Sequence, residues 1–181
     1  MSIALGLLAF VMLSLIFLAA FVYYMLFQFI IPMLWQGAIF VRSKNSAVEA
    51  MLDLASASPG QKAVDVGSGD GRLVIAMAQR GLDAHGYEIN PFLVLISKRS
   101  IKKLGLQSRA HIYWKNFWNE DFSRFDVVTI YGISYIMDKL EVKLKRELKP
   151  GTRVVSNYFT FKFWPPFKEK DSVYLYLKGD K

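Results

Sequence analysis

Residues 63–72 combine an acidic side chain with three glycines at alternate positions. Small and β-branched residues around Asp65 predict a buried strand, and Gly67, Gly69 and Gly71 predict a tight turn into a helix. Because glycine adopts positive φ values and has no Cβ, such a turn brings backbone N–H groups close to a ligand. We therefore expect the turn, including Ser68, to bind a cofactor.

The spacing of the glycines separates the cofactor classes. A dinucleotide-binding turn has a third glycine where this chain has Arg72, and a P-loop ends in Gly-Lys-Ser or Gly-Lys-Thr, which is absent here. The next predicted strand ends in Glu88, whose carboxylate can accept hydrogen bonds from both hydroxyls of a ribose. A turn that binds no ligand would explain the glycines, but it would not explain Asp65 and Glu88 at their positions.

Composition narrows the possible chemistry. The chain of 181 residues contains no cysteine and two histidines, His85 and His111, both in or at the start of predicted strands. Thiolate metal sites and disulfides are therefore excluded, and little is present for serine or cysteine hydrolase chemistry. We interpret both histidines as structural and expect no metal site.

Alternating strands and helices must position these residues. The sequence predicts strands at residues 63–66, 84–88, 110–114, 125–131 and 153–158, and alternation predicts a final antiparallel strand at 172–178. Helical spacing predicts helices at residues 46–57, 72–80, 90–104 and 136–148. This order indicates an α/β fold of the Rossmann-like, doubly wound type, with a mostly parallel sheet and a reduced C-terminal end.

An apolar segment precedes this domain. Residues 3–27 contain no charged side chain, and as a helix they would be about 37 Å long, enough to cross a bilayer. A cleaved signal peptide fits less well, because there is no basic region before the apolar run. We predict a transmembrane helix at residues 1–31, an interfacial connecting segment at 32–57 and a catalytic domain at 58–181.

The charge distribution predicts the topology. The formal net charge is +8, and no charged side chain occurs before Arg42. Because Arg42 and Lys44 directly follow the apolar segment, the positive-inside rule places the catalytic domain on the cytoplasmic side of a single-pass anchor. The basic domain suits an anionic membrane surface, an acidic partner or nucleic acid.

The motifs resemble those of class I methyltransferases that use S-adenosyl-L-methionine. The resemblance is carried by residues 64–72, by Gly86-Tyr87-Glu88-Ile89-Asn90-Pro91, by residues 140–148 and by an aromatic segment at 161–164 that a proline follows. Among these enzymes the chain is similar to the small membrane-anchored protein-lysine methyltransferases that modify adenine nucleotide translocase and the ATP synthase c-subunit. The resemblance covers about residues 46–177.

The resemblance implies roles for further residues. Asn116 would hydrogen-bond the adenine ring and Phe117 would stack on it, although the aromatic residues of this loop can also close the core. Tyr131, after the fourth strand, and Trp164 would line an apolar pocket for the substrate lysine, or else pack the last strand. Asp65, Gly67, Ser68, Gly69, Gly71 and Glu88 would bind the cofactor.

The resemblance also implies the activity, which is methylation of a lysine in a membrane protein. The alternative is methylation of a lipid or another small molecule in the membrane. We expect a lipid bilayer as partner and no metal. We also expect no nucleic-acid partner, because the segment that holds a flipped base in nucleic-acid methyltransferases is missing after the fourth strand.

Overall fold

A computed structural model describes residues 3–26, 45–132 and 134–179. The chain divides into two units, residues 1–39 and 40–181. Of the predicted connecting segment, residues 32–44 lie outside the described residues, including Arg42 and Lys44, and residues 45–57 lie within them.

The N-terminal unit contains helix α1, Ile3–Met25. Its side chains are exposed along the whole length, and none of them is charged. It is the one helix in the described part of the chain that is long and apolar enough to cross a membrane. Helix α1 lies within the transmembrane segment predicted at residues 1–31, and its insertion into a bilayer stays a prediction.

The second unit contains a seven-stranded sheet. Its helices are α2 (Asn45–Ala55), α3 (Arg72–Gln79), α4 (Pro91–Lys103) and α5 (Ser134–Glu147); its strands are β1 (Lys62–Val66), β2 (Asp83–Glu88), β3 (Ala110–Trp114), β4 (Val127–Ile130), β5 (Arg153–Asn157), β6 (Lys168–Lys170) and β7 (Val173–Leu177). The strand order is β3-β2-β1-β4-β5-β7-β6. β1 to β5 pair in parallel, and β7 is antiparallel to both β5 and β6. The predicted Rossmann-like fold is confirmed.

Strand order reverses between β1 and β4, which is where open α/β sheets bind ligands, at the carboxyl ends of the strands. Register places Asp65 of β1 between Gly86 of β2 and Thr129 of β4. Gly86 in turn lies opposite Ile112 of β3. The side chains of this row point to one face of the sheet, so the partners of Asp65 are determined by strand register.

Local chemistry explains where α4 begins. The Asn90 side chain accepts hydrogen bonds from the backbone N–H groups of Phe92 and Leu93, at 2.9 and 3.4 Å. Pro91 occupies the first helical position, where its missing N–H has no consequence. The start of α4 is therefore fixed directly after the residue pair that follows β2.

Candidate active site

The glycine turn folds over the end of β2. Gly67, Gly69 and Gly71 all have positive φ values, 78°, 54° and 78°. The N–H groups of Gly67 and Ser68 both donate to the carbonyl of Tyr87, at 3.1 and 3.0 Å. Backbone hydrogen bonds thus hold the turn against β2. Residues other than glycine rarely adopt the positive φ values of this turn.

Glu88, the last residue of β2, holds the glycine turn through its carboxylate. Its Oε2 accepts from the Gly69 N–H at 2.8 Å, and its Oε1 accepts from the N–H groups of Ile89 and Asn90 at 2.9 and 2.8 Å. The carboxyl is buried, and burial raises its pKa, while these three hydrogen bonds lower it. A carboxylate has about four acceptor positions, so a ribose diol must share or displace one of the backbone N–H groups.

Two close contacts show how tightly the turn is packed. A Cβ on Gly86 would lie 2.7 Å from the Cβ and Oγ of Ser68, and one on Gly71 would lie 2.8 Å from those of Ser97. The Ser97 Oγ lies within hydrogen-bond distance of the Gly69 carbonyl, at 3.0 Å. The Ser68 Oγ is buried and has no hydrogen-bond partner among the described residues. Asp65, the glycine turn and Glu88 together form a cradle. A buried hydroxyl without a partner inside this cradle fits a ligand that brings its own polar groups.

Asp65 lies at the base of the turn. It is buried, and its Oδ1 accepts from the Thr129 Oγ1 at 3.0 Å. Burial is the main cause that raises the pKa of Asp65 to about 7, with smaller contributions from the charges of Glu88 and Asp70. Burial and these like charges disfavour the ionised form of Asp65, so a cationic ligand beside this carboxyl would be favourable.

The loop after β3 places the two residues predicted to bind adenine side by side. Asn116 caps a short 3-10 helix, Phe117–Asn119, by accepting from the N–H of Trp118 at 3.1 Å. Phe117 is buried, and its ring centroid lies 4.7 Å from that of Trp118. Lys115 N–H donates to the Glu88 carbonyl at 3.0 Å, so this loop starts beside the cradle. The roles in binding adenine remain predictions.

The two residues predicted to line the lysine pocket have different surroundings. Tyr131 is half-buried directly after β4, with its ring centroid 6.5 Å from that of Phe159. Trp164 is buried and stacked on Phe161, with centroids 5.6 Å apart, and it also contacts Tyr176. The placement of Trp164 agrees with the packing alternative, and its role in catalysis stays a prediction.

Sequence reasoning did not identify Thr129 or Ser97. Thr129 is a polar residue within an apolar strand, and Ser97 lies on the buried side of α4 among Leu93, Val94 and Ile101. A polar residue on a face that is otherwise apolar was the available signal in both cases. Their partners, Asp65 and the Gly69 carbonyl, depend on how strands and helices pack.

Neither histidine belongs to this site. The Nε2 atoms of His85 and His111 lie 3.1 and 3.4 Å from the Oδ1 of Asp83, and burial lowers the pKa of His85. The described residues contain no group of three or more side chains suited to bind a metal ion.

Comparison with known proteins agrees with this geometry. The family described as ANTKMT methyltransferase domain matches residues 65–168, which include Asp65, the glycine turn, Glu88 and Trp164. The chain belongs to this family. The ANTKMT methyltransferase family thus accounts for more than half of the sequence, including the whole cofactor cradle.

Two relatives of this methyltransferase chain are named as lysine methyltransferases. A protein-lysine N-methyltransferase of Saccharolobus islandicus is 36% identical over 151 residues, which are 78% of this chain and 94% of that protein. The human lysine N-methyltransferase of the ATP synthase c-subunit is 37% identical over 80% of this chain, and the match spans 62% of the human protein.

A solved structure is also similar. It is described as an RNA methyltransferase from Salinibacter ruber in complex with S-adenosyl-L-homocysteine, and it has 32% sequence identity and a TM-score of 0.75. The match covers 78% of this chain and 95% of that structure.

Proposed function

We propose that this chain is a membrane-anchored methyltransferase that transfers a methyl group from S-adenosyl-L-methionine to a lysine side chain of a membrane protein. The observation that carries the proposal is the cradle formed by Asp65, the glycine turn and Glu88, in a chain with lysine methyltransferases among its relatives. The glycines would approach the cofactor, Glu88 would bind its ribose, and Asp65 would favour its positive charge.

The lysine must react in its neutral form. When bound, S-adenosyl-L-methionine supplies an electrophilic methyl group on a positively charged sulphur. Loss of the lysine proton from a pKa of about 10.4 costs roughly 5 kcal/mol at pH 7. An apolar aromatic pocket lowers this cost, because burial disfavours the ammonium form.

We assign the pocket to Tyr131 and to aromatic residues of the segment from Phe159 to Trp164. Tyr131 follows the carboxyl end of β4, which is the edge of the sheet that carries the glycine turn. Its ring neighbours Phe159, which lies just after β5. Tyr131 and Phe159 would contact the substrate chain, and Trp164 would support the segment from behind through Phe161.

The apolar helix α1 is the reason for proposing a substrate in the membrane. Helix α1 would hold the catalytic unit near one bilayer, which raises the effective concentration of substrates in that bilayer. A lipid or a small molecule dissolved in the membrane would benefit in the same way, so methylation of such a molecule is the second candidate. RNA also needs testing, because of the Salinibacter ruber relative and the basic charge.

A labelling experiment separates these substrates. The purified full chain is incubated with membranes, total RNA and S-adenosyl-L-methionine that carries a tritiated methyl group, and protein, lipid and RNA are then separated. We expect label in one or a few membrane proteins, recovered after acid hydrolysis as methyl-lysine. Asp65→Ala and Glu88→Ala should remove the label, because each change removes part of the cradle.

Each other distribution of the label gives a different answer. Label in the lipid fraction would support the second candidate and contradict the lysine proposal. Label in RNA would contradict both membrane substrates. No label in any fraction, combined with no binding of S-adenosyl-L-methionine in calorimetry, would contradict enzymatic activity itself.

A further inference from the structure

Helix α4 has an exposed face that combines apolar and basic side chains. Its buried side consists of Leu93, Val94, Ser97 and Ile101. The exposed side chains of the helix are Phe92, Leu95, Lys98, Arg99, Lys102 and Lys103. The helix contains no acidic residue, so its solvent-facing side carries two large apolar residues followed by four cations.

These four cations have no ion-pair partner within the ranges that the structure describes. Other basic residues of the same unit are paired: Lys143 lies 2.9 Å from a Glu147 oxygen, and Lys115 lies 3.0 Å from a Glu120 oxygen. Four unpaired like charges along one helix repel one another. An anionic surface outside the protein would relieve that repulsion.

Trp114 extends this face towards the end of β3. Its indole is 63% exposed, and its Nε1 donates to the carbonyl of Ile89 at 2.8 Å, just before α4 begins. Phe92 and Leu95 are themselves 53% and 44% exposed. Because tryptophan is enriched where a bilayer meets water, the combination with a basic helix is typical of an interfacial surface.

We infer that the exposed face of α4, together with Trp114, docks the catalytic unit on an anionic lipid bilayer. Nucleic acid would match the cations but would leave Leu95 and Phe92 in water, whereas a bilayer surface accommodates both kinds of side chain. This inference goes beyond methyl transfer and rests on the proposed membrane location. Helix α4 starts three residues after Glu88, with Asn90 as its N-cap. Docking of α4 would therefore bring the cradle close to the membrane surface.

The absence of cysteine makes this surface directly measurable. Single cysteines are introduced at Leu95 on the docking face, at the exposed Val142 on α5 as a control, and at Ser14 within α1. Each full-length variant carries a nitroxide label and is reconstituted in nanodiscs of phosphatidylcholine, with or without phosphatidylglycerol. Electron paramagnetic resonance then measures collision of the label with oxygen, which concentrates in lipid, and with a water-soluble nickel chelate.

We expect the Leu95 label to gain oxygen contact and lose nickel contact only when phosphatidylglycerol is present. The Val142 label should remain in water in both lipids. The Ser14 label reports on the anchor separately, so a failure of the anchor and a failure of docking are distinguishable. If the Leu95 label gives the same values in both lipids, the inference is wrong, whatever the Ser14 label shows.

Charge reversal tests the basic residues themselves. In the Leu95→Cys background, Lys98→Glu, Lys102→Glu and Lys103→Glu are combined. The matched control combines Lys149→Glu, Lys168→Glu and Lys170→Glu, which change the net charge equally. Each basic residue near an anionic surface favours docking about fivefold, so the α4 variant should lower the ratio of docked to undocked molecules at least about a hundredfold.

The control variant should reduce docking far less than the α4 variant. In the protein without charge reversals, 1 M salt should abolish docking, because salt then screens the charges of α4 within about 3 Å. Equal losses in the two triple variants would show that only net charge matters and would overturn the assignment to α4. A Leu95 label that responds to single-stranded RNA but not to phosphatidylglycerol would overturn it as well.

Discussion

At the scale of single residues, protonation of the buried Asp65 makes the stability of the cradle depend on pH. Its folded-state pKa of about 7 lies above the ordinary value of 3.8. The folded protein therefore keeps this proton at pH values where the unfolded chain has released it. The stability that Asp65 contributes is greatest below about pH 4 and declines until about pH 7.

Asp65→Asn should remove this decline, because asparagine keeps an oxygen for the Thr129 hydroxyl and does not ionise. The difference between the free energies of unfolding of the wild type and the variant should change between about pH 4 and pH 7. Its slope should approach 1.4 kcal/mol per pH unit. Chemical denaturation of the full chain in one detergent measures this, and a flat difference over that range would contradict the assignment.

Asp121 provides a control of opposite sign. Hydrogen bonds from Ser123 hold the pKa of this carboxyl below its usual range. Its contribution to stability is therefore present at neutral pH and is lost as the pH falls through the lowered pKa. Asp121→Asn should destabilise the protein at pH 7 but not at the lowest pH values.

Gly86 tests how closely the sheet approaches the turn. Gly86→Ala places a Cβ 2.7 Å from Ser68 and 2.8 Å from the Cδ1 of Ile112, so we expect a loss of about 1–3 kcal/mol and weaker binding of S-adenosyl-L-methionine. Ser68→Gly removes the nearer obstacle, and the double variant should lose less stability than the two single variants together. Strict additivity in denaturation experiments would show that the two sites do not touch.

Asp65, the glycines and Glu88 were predictable because each depends on its own neighbours in the sequence. The glycines are required by backbone conformation, and Glu88 ends the strand that follows the glycine turn and its helix. Thr129 was not predictable in the same way, because its contact with Asp65 joins residues 64 positions apart. That contact exists only when β1 and β4 pair in the observed register.

At the scale of elements, the aromatic segment after β5 contains residues that support the fold and residues that are free to contact a substrate. Trp164 is 8% exposed and Phe163 is 72% exposed, although they are neighbours. Trp164→Ala should destabilise the protein by about 3–5 kcal/mol, and Phe163→Ala should change its stability by less than about 0.5 kcal/mol. Denaturation midpoints compare the two variants directly.

The conservative variants then address catalysis. Trp164→Phe retains much of the packing, so its methyl-transfer rate should follow its stability. Tyr131→Phe should leave stability nearly unchanged and raise the KM for the substrate more than it lowers kcat, if Tyr131 contacts the lysine. Unaltered kinetics for Tyr131→Phe would remove this residue from the site.

Most elements agreed with the sequence patterns to within two residues, because glycine or proline residues mark many of their ends. Strand β6 was not predicted. It consists of Lys168, Glu169 and Lys170, all exposed, and has no apolar pattern. Its extended conformation follows from pairing with β7, which is a tertiary contact.

Charge and hydropathy divide into two regions at the scale of the whole molecule. All charged residues follow the apolar helix α1, so the entire excess of basic residues lies between residues 42 and 181. Sequence patterns located both regions and every strand of the sheet except β6. The identity of the cofactor required the family resemblance. The order of the strands is known from the structure, because periodicity does not specify which strands are neighbours.

The central claim is that this cradle serves methylation of lysine in membrane proteins. The most direct test incubates membranes with the full chain and S-adenosyl-L-methionine whose methyl group is deuterated, and then identifies modified peptides by mass spectrometry. We predict deuterated methyl groups on lysine side chains of membrane proteins, absent when Glu88→Ala replaces the wild type. Deuterated methyl groups confined to lipid or RNA, with none on lysine, would contradict the claim.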